Sequence, residues 1–284
     1  MSAPAAQFLA LADSGRNGWW RYALGMAVIA ASWLVGGAFA YACTMDFALF
    51  GSVTEFVAIN ASVLMLLVGV VAVITVLHGR GWRTLITPRQ RLDWRRIAEG
   101  AVVWIALAIA SAGVENLLYP GRYVWGLDLQ RWLPFAAVAL LLTPLQCAAE
   151  EMVFRGYLVQ ALGRLLRRPA ALAVLSSALF TVPHLYNPEI AAYGIGIMAA
   201  NYFVMGLFLA SVALRDGRLE LAIGAHAGNN LLLALFINYE DSVFSTESVF
   251  TAGALDPVYS LVTLLLSAVV FHLWAFRNRP YRHD

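Results

Sequence analysis

Runs of about 20 consecutive apolar residues, the length a helix needs to cross roughly 30 Å of hydrocarbon, recur from one end of the chain to the other. This rules out most folds at once. Lipid cannot hydrogen-bond the backbone, so a spanning segment must satisfy its own peptide groups as a helix or within a closed barrel. With 61% of residues hydrophobic and only 13% charged, nothing is left over for a separate soluble domain. Eight spanning helices are predicted, at 22–42, 56–77, 101–118, 132–155, 170–185, 193–214, 221–238 and 258–276. The expectation is an all-α polytopic membrane protein with any site buried between helices. It divides into an N-terminal segment (1–20), helices one to three (21–130), a core of helices four to seven (131–240), and a last helix with a tail (241–284).

Charge placement gives an orientation. All basic residues are arginines: Arg80, Arg83, Arg89, Arg91, Arg95 and Arg96 share one connection, Arg164, Arg167 and Arg168 a second, and Arg215 and Arg218 a third, while Arg277, Arg279 and Arg282 end the chain. An even number of spans puts all of these, with both termini, on one side, which the positive-inside tendency identifies as the cytoplasm. The alternate loops carry Asp46, Glu55, Asp128, Glu189, Glu240, Asp241, Glu247 and Asp256, against only Arg122 and Arg131. Residues 1–18 lack the basic start, short apolar run and small-residue site of a cleaved signal, so the first apolar segment is expected to stay. Trp19, Trp20, Trp82, Trp94, Trp125 and Trp132 fall near segment ends, as interfacial anchors would. The lysine-free composition points to a GC-rich bacterial genome and hence to the inner membrane. Net charge is +2 with no basic block, which argues against nucleic acid. Cys43 and Cys147 show no disulfide or metal spacing and are read as core residues. The absence of internal repeats weakens a transporter reading.

An ionisable group inside a span costs at least about 2.5 kcal/mol and needs a partner or a purpose. The fourth segment holds Glu150, Glu151 and Arg155. Glu151 and Arg155, four apart, share a helix face and can pair, whereas Glu150 points about 100° away and has no evident partner in its own helix. The fifth segment has Phe180 and His184 one turn apart, and the seventh has His226 and Asn230 at the same spacing, with Asn229 beside them. At 1.5 Å per residue, Glu150 and His184 lie at matching depths of about 21 Å from the arginine-rich side. Asn230 reaches only about 15 Å and His226 about 9 Å, so tilt or an earlier helix start must close that gap. His78 and Glu115 are expected near the two interfaces. A carboxylate with a nearby histidine can deprotonate water, and a histidine with an asparagine amide can donate to a developing oxyanion. That set describes peptide hydrolysis.

These motifs, Glu-Glu-x-x-x-Arg, Phe-x-x-x-His and His-x-x-x-Asn in order on separate apolar helices, resemble the CPBP family of type II CAAX prenyl endopeptidases and bacteriocin-processing or Abi-like membrane proteins. The resemblance covers about residues 141–235. It implies that Glu150 is the general base, that His184 helps hold the water, and that His226 and Asn230 form the oxyanion hole. Glu151, Arg155 and Phe180 would support them. No cofactor is expected. The alternative chemistry is a zinc protease with Glu150, His184 and His226 as ligands, disfavoured by the lack of a His-Glu-x-x-His pair on one helix. Expected partners are membrane lipids and a protein or peptide substrate, lipidated ones included. A non-catalytic immunity or scaffold protein on the same fold is the alternative of a different class.

Overall fold

The computed structural model describes residues 2–47, 50–243 and 246–277. Arg279 and Arg282 of the C-terminal basic cluster lie outside the described residues. In chain order the helical bodies are α1 (Ala3–Ala10), α2 (Trp19–Phe47), α3 (Thr54–Leu77), α4 (Trp94–Leu118), α5 (Leu129–Gly163), α6 (Pro169–His184), α7 (Pro188–Tyr193), α8 (Ile195–Asp216), α9 (Glu220–Leu235) and α10 (Pro257–Phe276). Every predicted segment falls on one of them. Among the described residues α2, α3, α4, α5, α8 and α10 are long and apolar enough to cross a membrane. The other two predicted spans, α6 and α9, have 16 residues each, about 24 Å at 1.5 Å per residue. Six full-length helices and two shorter ones therefore stand where eight spans were expected. The seventh segment also ends earlier than predicted, because Asn238 sits in a strand.

Helix ends follow local chemistry. Asp93, Asp128 and Asp256 cap α4, α5 and α10 by accepting from backbone amides of the first turn, satisfying donors that the helix leaves free. Pro169 starts α6 and Pro188 starts α7, where a missing amide proton is harmless. Gly217, at φ 71°, ends α8 in the left-handed conformation.

The helices run antiparallel and share two distinct ends. At the sheet end, β1 (Tyr123–Trp125), β2 (Ile237–Tyr239) and β3 (Phe250–Ala252) form a small sheet in the order β1-β3-β2, antiparallel then parallel. Trp132 Nε1 donates to Leu235 O at 3.0 Å there. The opposite, arginine end is closed by polar ties. Arg80 donates to Leu11 O (2.9 Å) and Gln160 Oε1 (2.8 Å), and Gln160 donates to Thr84 O (2.8 Å). Arg96 holds Asp216 bidentately, and Arg218 joins Asp216 to Asp93. α1 inserts Phe8 into this end, fully buried. His78 is not interfacial as expected. It is fully buried, donating from Nδ1 to Arg16 O (2.8 Å) while Nε2 meets the Tyr157 hydroxyl (3.0 Å). Of the predicted anchors, Trp19, Trp20, Trp82, Trp94 and Trp125 face outward, while Trp132 packs against the cluster around Phe135.

The contact that positions the site is α4 on α9. A Cβ on Gly224 would strike the carbonyl of Ile97, and one on Gly100 the carbonyl of Leu221. Small residues let two backbones approach where lipid supplies no hydrophobic drive. Both obstacles are backbone and cannot swing aside. Gly224→Ala is expected to cost about 1–3 kcal/mol, read as a lowered thermal unfolding midpoint of the detergent-purified protein. Gly113→Ala, on α4 with open space around its Cβ, should leave the midpoint unchanged or raise it slightly; equal behaviour of the two would contradict this packing.

Candidate active site

The long helix α5 changes character where the acidic pair sits. Immediately after Glu151 it widens into a π-helical stretch, Met152–Leu158, an irregularity frequent at functional sites. Arg155 lies on that stretch, and its Nη1 meets Glu151 Oε1 at 2.8 Å with both side chains fully buried. Arg155 Nη2 also donates to Gly206 O on α8 (3.2 Å), and its guanidinium lies 4.2 Å from the centroid of the Phe180 ring on α6. Glu151 Oε1 accepts in addition from His226 Nδ1 on α9, at 2.9 Å. The expected pair is thus the centre of a network across four helices.

Glu150 is treated differently. Its Oε1 accepts from Gln146 Nε2 at 2.7 Å. Its Oε2 is buried and has no hydrogen-bond partner among the described residues, and it lies 3.8 Å from His226 Nε2. No partner for Glu150 in its own helix is evident from the sequence; Gln146, one turn earlier on the same face, is that partner. The depth mismatch for His226 disappears because α9 does not start at the surface. Glu220, its first residue, is fully buried, so every later residue of α9 sits deeper than a count from the interface allows.

Both histidines are held by Nδ1. His184 Nδ1 donates to Phe180 O at 2.7 Å, and a carbonyl can only accept, so the proton is on Nδ1 and Nε2 is the free nitrogen. His226 Nδ1 likewise donates to a carboxylate, leaving Nε2 toward Glu150. Phe180 packs between them, its ring centroid 4.4 Å from that of His184 and 6.1 Å from that of His226. Asn229 and Asn230 separate in role. Asn229 accepts from Trp104 Nε1 (3.1 Å) and donates to Asn230 Oδ1 (3.1 Å). Asn229 is therefore engaged at both ends, and Asn230, held through its Oδ1, lines the cavity. The sequence offers Asn229 as the alternative donor to Asn230, with the one-turn spacing favouring Asn230, whereas nothing in its spacing marks Trp104.

Glu150, His184, His226 and Asn230 all line one cavity of about 580 Å³. Toward the sheet end it is bounded by Glu189, whose Oε1 accepts from the Tyr239 hydroxyl (3.1 Å) and Val243 N (2.9 Å). Burial first, and Glu189 next, push the Tyr239 phenol above its ordinary range, so it stays a donor to Glu189 at physiological pH. Glu115 also lines the cavity, paired with Arg122 at 3.0 Å. Among the described residues no three His, Cys, Asp or Glu side chains are grouped closely enough to hold a metal ion.

Breaking a buried ion pair by removing one partner costs about 3–5 kcal/mol, whereas an exposed pair contributes about 0–1 kcal/mol. Arg155→Met should therefore lower the unfolding midpoint strongly, and Arg164→Met, which breaks only the exposed pair with Asp13, barely. Similar small shifts for both would show that the four-helix network is not a stabilising centre.

Residues 129–232 match the family described as type II CAAX prenyl endopeptidase Rce1-like. The uncharacterized protein YyaK of Bacillus subtilis (strain 168) is 35% identical over 196 residues, covering 68% of this chain and 64% of that relative. The chain thus spans a little under two thirds of the relative's length. No solved structure matches it. The family match runs from the start of α5 into α9 and includes both acidic residues, Arg155, both histidines and Asn230. Over that stretch the chain is similar to the Rce1-like family.

Proposed function

We propose that the protein is an intramembrane endopeptidase that hydrolyses a peptide bond with water activated by Glu150. The observation that carries this reading is the second carboxylate oxygen of Glu150, buried at the cavity wall without a hydrogen-bond partner among the described residues, 3.8 Å from His226 Nε2. A buried acceptor left open is costly unless something binds there. Water fits the position. The free Nε2 of His184 accepts one proton of that water in a hydrogen bond, and Glu150 takes the other as the oxygen attacks the scissile carbonyl carbon. The oxyanion that forms is met by Asn230 Nδ2–H and, with the ring as imidazolium, by His226 Nε2–H. Glu150 then returns its proton to the leaving amine as the C–N bond breaks. Gln146 holds Glu150 by its other oxygen, and Glu151 with Arg155 orients His226, so the reacting groups are fixed before substrate arrives.

In this reading residues 131–240 are the catalytic core, and the substrate is a membrane-associated protein, prenylated ones included, as the family's description suggests. The setting is the bacterial inner membrane with both termini cytoplasmic, in keeping with the arginine distribution. No step requires a cofactor.

The test is cleavage of a quenched-fluorescent peptide library, farnesylated and unmodified, by detergent-purified protein. Loss of a general base lowers kcat by about 10²–10⁴, so Glu150→Gln should fall in that range. Asn230→Ala should lose about 10²–10³, as one oxyanion donor does. A zinc chelator should change nothing; inhibition by it would turn Glu150, His184 and His226 into metal ligands. Cleavage that survives Glu150→Gln would overturn the mechanism, and no cleavage of any peptide by folded wild type would favour a non-catalytic membrane partner.

A further inference from the structure

The cavity has a direction. Its lining on α4 runs from Trp104 to Glu115, on α8 from Met198 to Met205, and on α10 from Tyr259 to Ser267. Each of these stretches is the middle and sheet-end part of its helix. The arginine-end parts, 94–103 of α4, 206–216 of α8 and 268–276 of α10, contribute nothing to it. That half of the molecule is packed solid, with Phe8, Tyr157, Ile74, Leu85 and Leu221 fully buried, and its polar groups tie to one another across Arg80, Gln160, Arg96 and Asp216.

α6 ends at His184 itself, and Tyr186, two residues on, is 89% exposed. Between Glu150 and the end of α5 at Gly163 lie 13 residues, about 20 Å of helix separating the site from the arginine end. At the sheet end, by contrast, the cavity is bounded by loops and strands that include Arg122, Tyr123, Ala252 and Ala254.

We infer that the site is reached only from the sheet end, and that the substrate is a polypeptide presented on the extracytoplasmic side of the membrane. This rests on the protease reading and narrows it. The arginine-rich connections lie at the closed end, and the positive-inside tendency assigns that end to the cytoplasm. A prenylated C-terminus displayed in the cytoplasm would meet the packed end. An exported chain, or the outer end of a membrane-anchored one, meets the open cavity.

The test is thiol labelling in a Cys43→Ser background, where the remaining Cys147 is fully buried. Ser267→Cys places a reporter deep in the cavity, Thr263→Cys a second one nearer the sheet end, and Leu165→Cys a third on the exposed connection at the arginine end. A sulfonated, membrane-impermeant maleimide is added to right-side-out and to inverted vesicles from the expressing bacterium, with labelling after SDS denaturation as the measure of total protein. The expected result is at least tenfold stronger labelling of the two cavity reporters in right-side-out vesicles, and of Leu165→Cys in inverted ones. Labelling of cavity and arginine-end reporters from the same side would overturn the direction of access. A reversed pattern would overturn the extracytoplasmic assignment, and cavity cysteines that react only after denaturation would overturn access itself. Labelling needs no turnover, so absent peptide cleavage with this pattern intact would count against the protease reading alone.

Discussion

The ion pair between Glu151 and Arg155 ties together the helices that carry the site. Two charges placed in a span must neutralise one another, and the pair does so within one helix turn. Its spare valences then do more. Glu151 fixes His226 on α9, and Arg155 reaches a carbonyl on α8 and the ring of Phe180 on α6. Each of the four helices that carry or surround the site is thereby registered against the same buried group. The widened helical stretch from Met152 to Leu158 begins directly after Glu151 and carries Arg155 within it.

Glu150, beside that pair, is placed differently. Neighbouring carboxylates on one helix have different fates: Glu151 shares one oxygen between Arg155 and His226 away from the cavity, whereas Glu150 lines the cavity and turns an unpaired oxygen toward His226. Sequence adjacency produces the difference, because a 100° rotation between consecutive residues turns one inward to the helix contacts and the other to the open space. The glycines at the α4–α9 crossing serve the same end by bringing Trp104 close enough to hold Asn229, which in turn holds Asn230.

Much of this was legible in the residues. Apolar run length located every main helix, since a span must carry about 20 residues without charge, and the four-residue spacing of Glu151 and Arg155 foretold their pairing. What the runs could not show is where a helix stops inside the protein. α9 starts and ends inside the protein, at Glu220 and Leu235, and a buried Glu220 at its head defeats any depth count from the interface. Gln146 was readable in principle, one turn from Glu150, but a neutral amide in an apolar run carries no cost large enough to demand attention. His78 was placed at the interface because arginines follow it, whereas hydrogen bonds to Arg16 and Tyr157 from distant parts of the chain bury it. Such long-range partners leave no local signature.

In the proposed reaction water under Glu150, and not the carboxylate itself, attacks the peptide bond. It is tested most directly by a single turnover in H₂¹⁸O with enzyme in excess over a peptide that it cleaves, followed by mass spectrometry of the product and of the enzyme fragment containing Glu150. Attack by water puts one ¹⁸O in the new product carboxylate and none in Glu150. Label in the Glu150 side chain would contradict it, because it would mean that the carboxylate had formed an acyl intermediate.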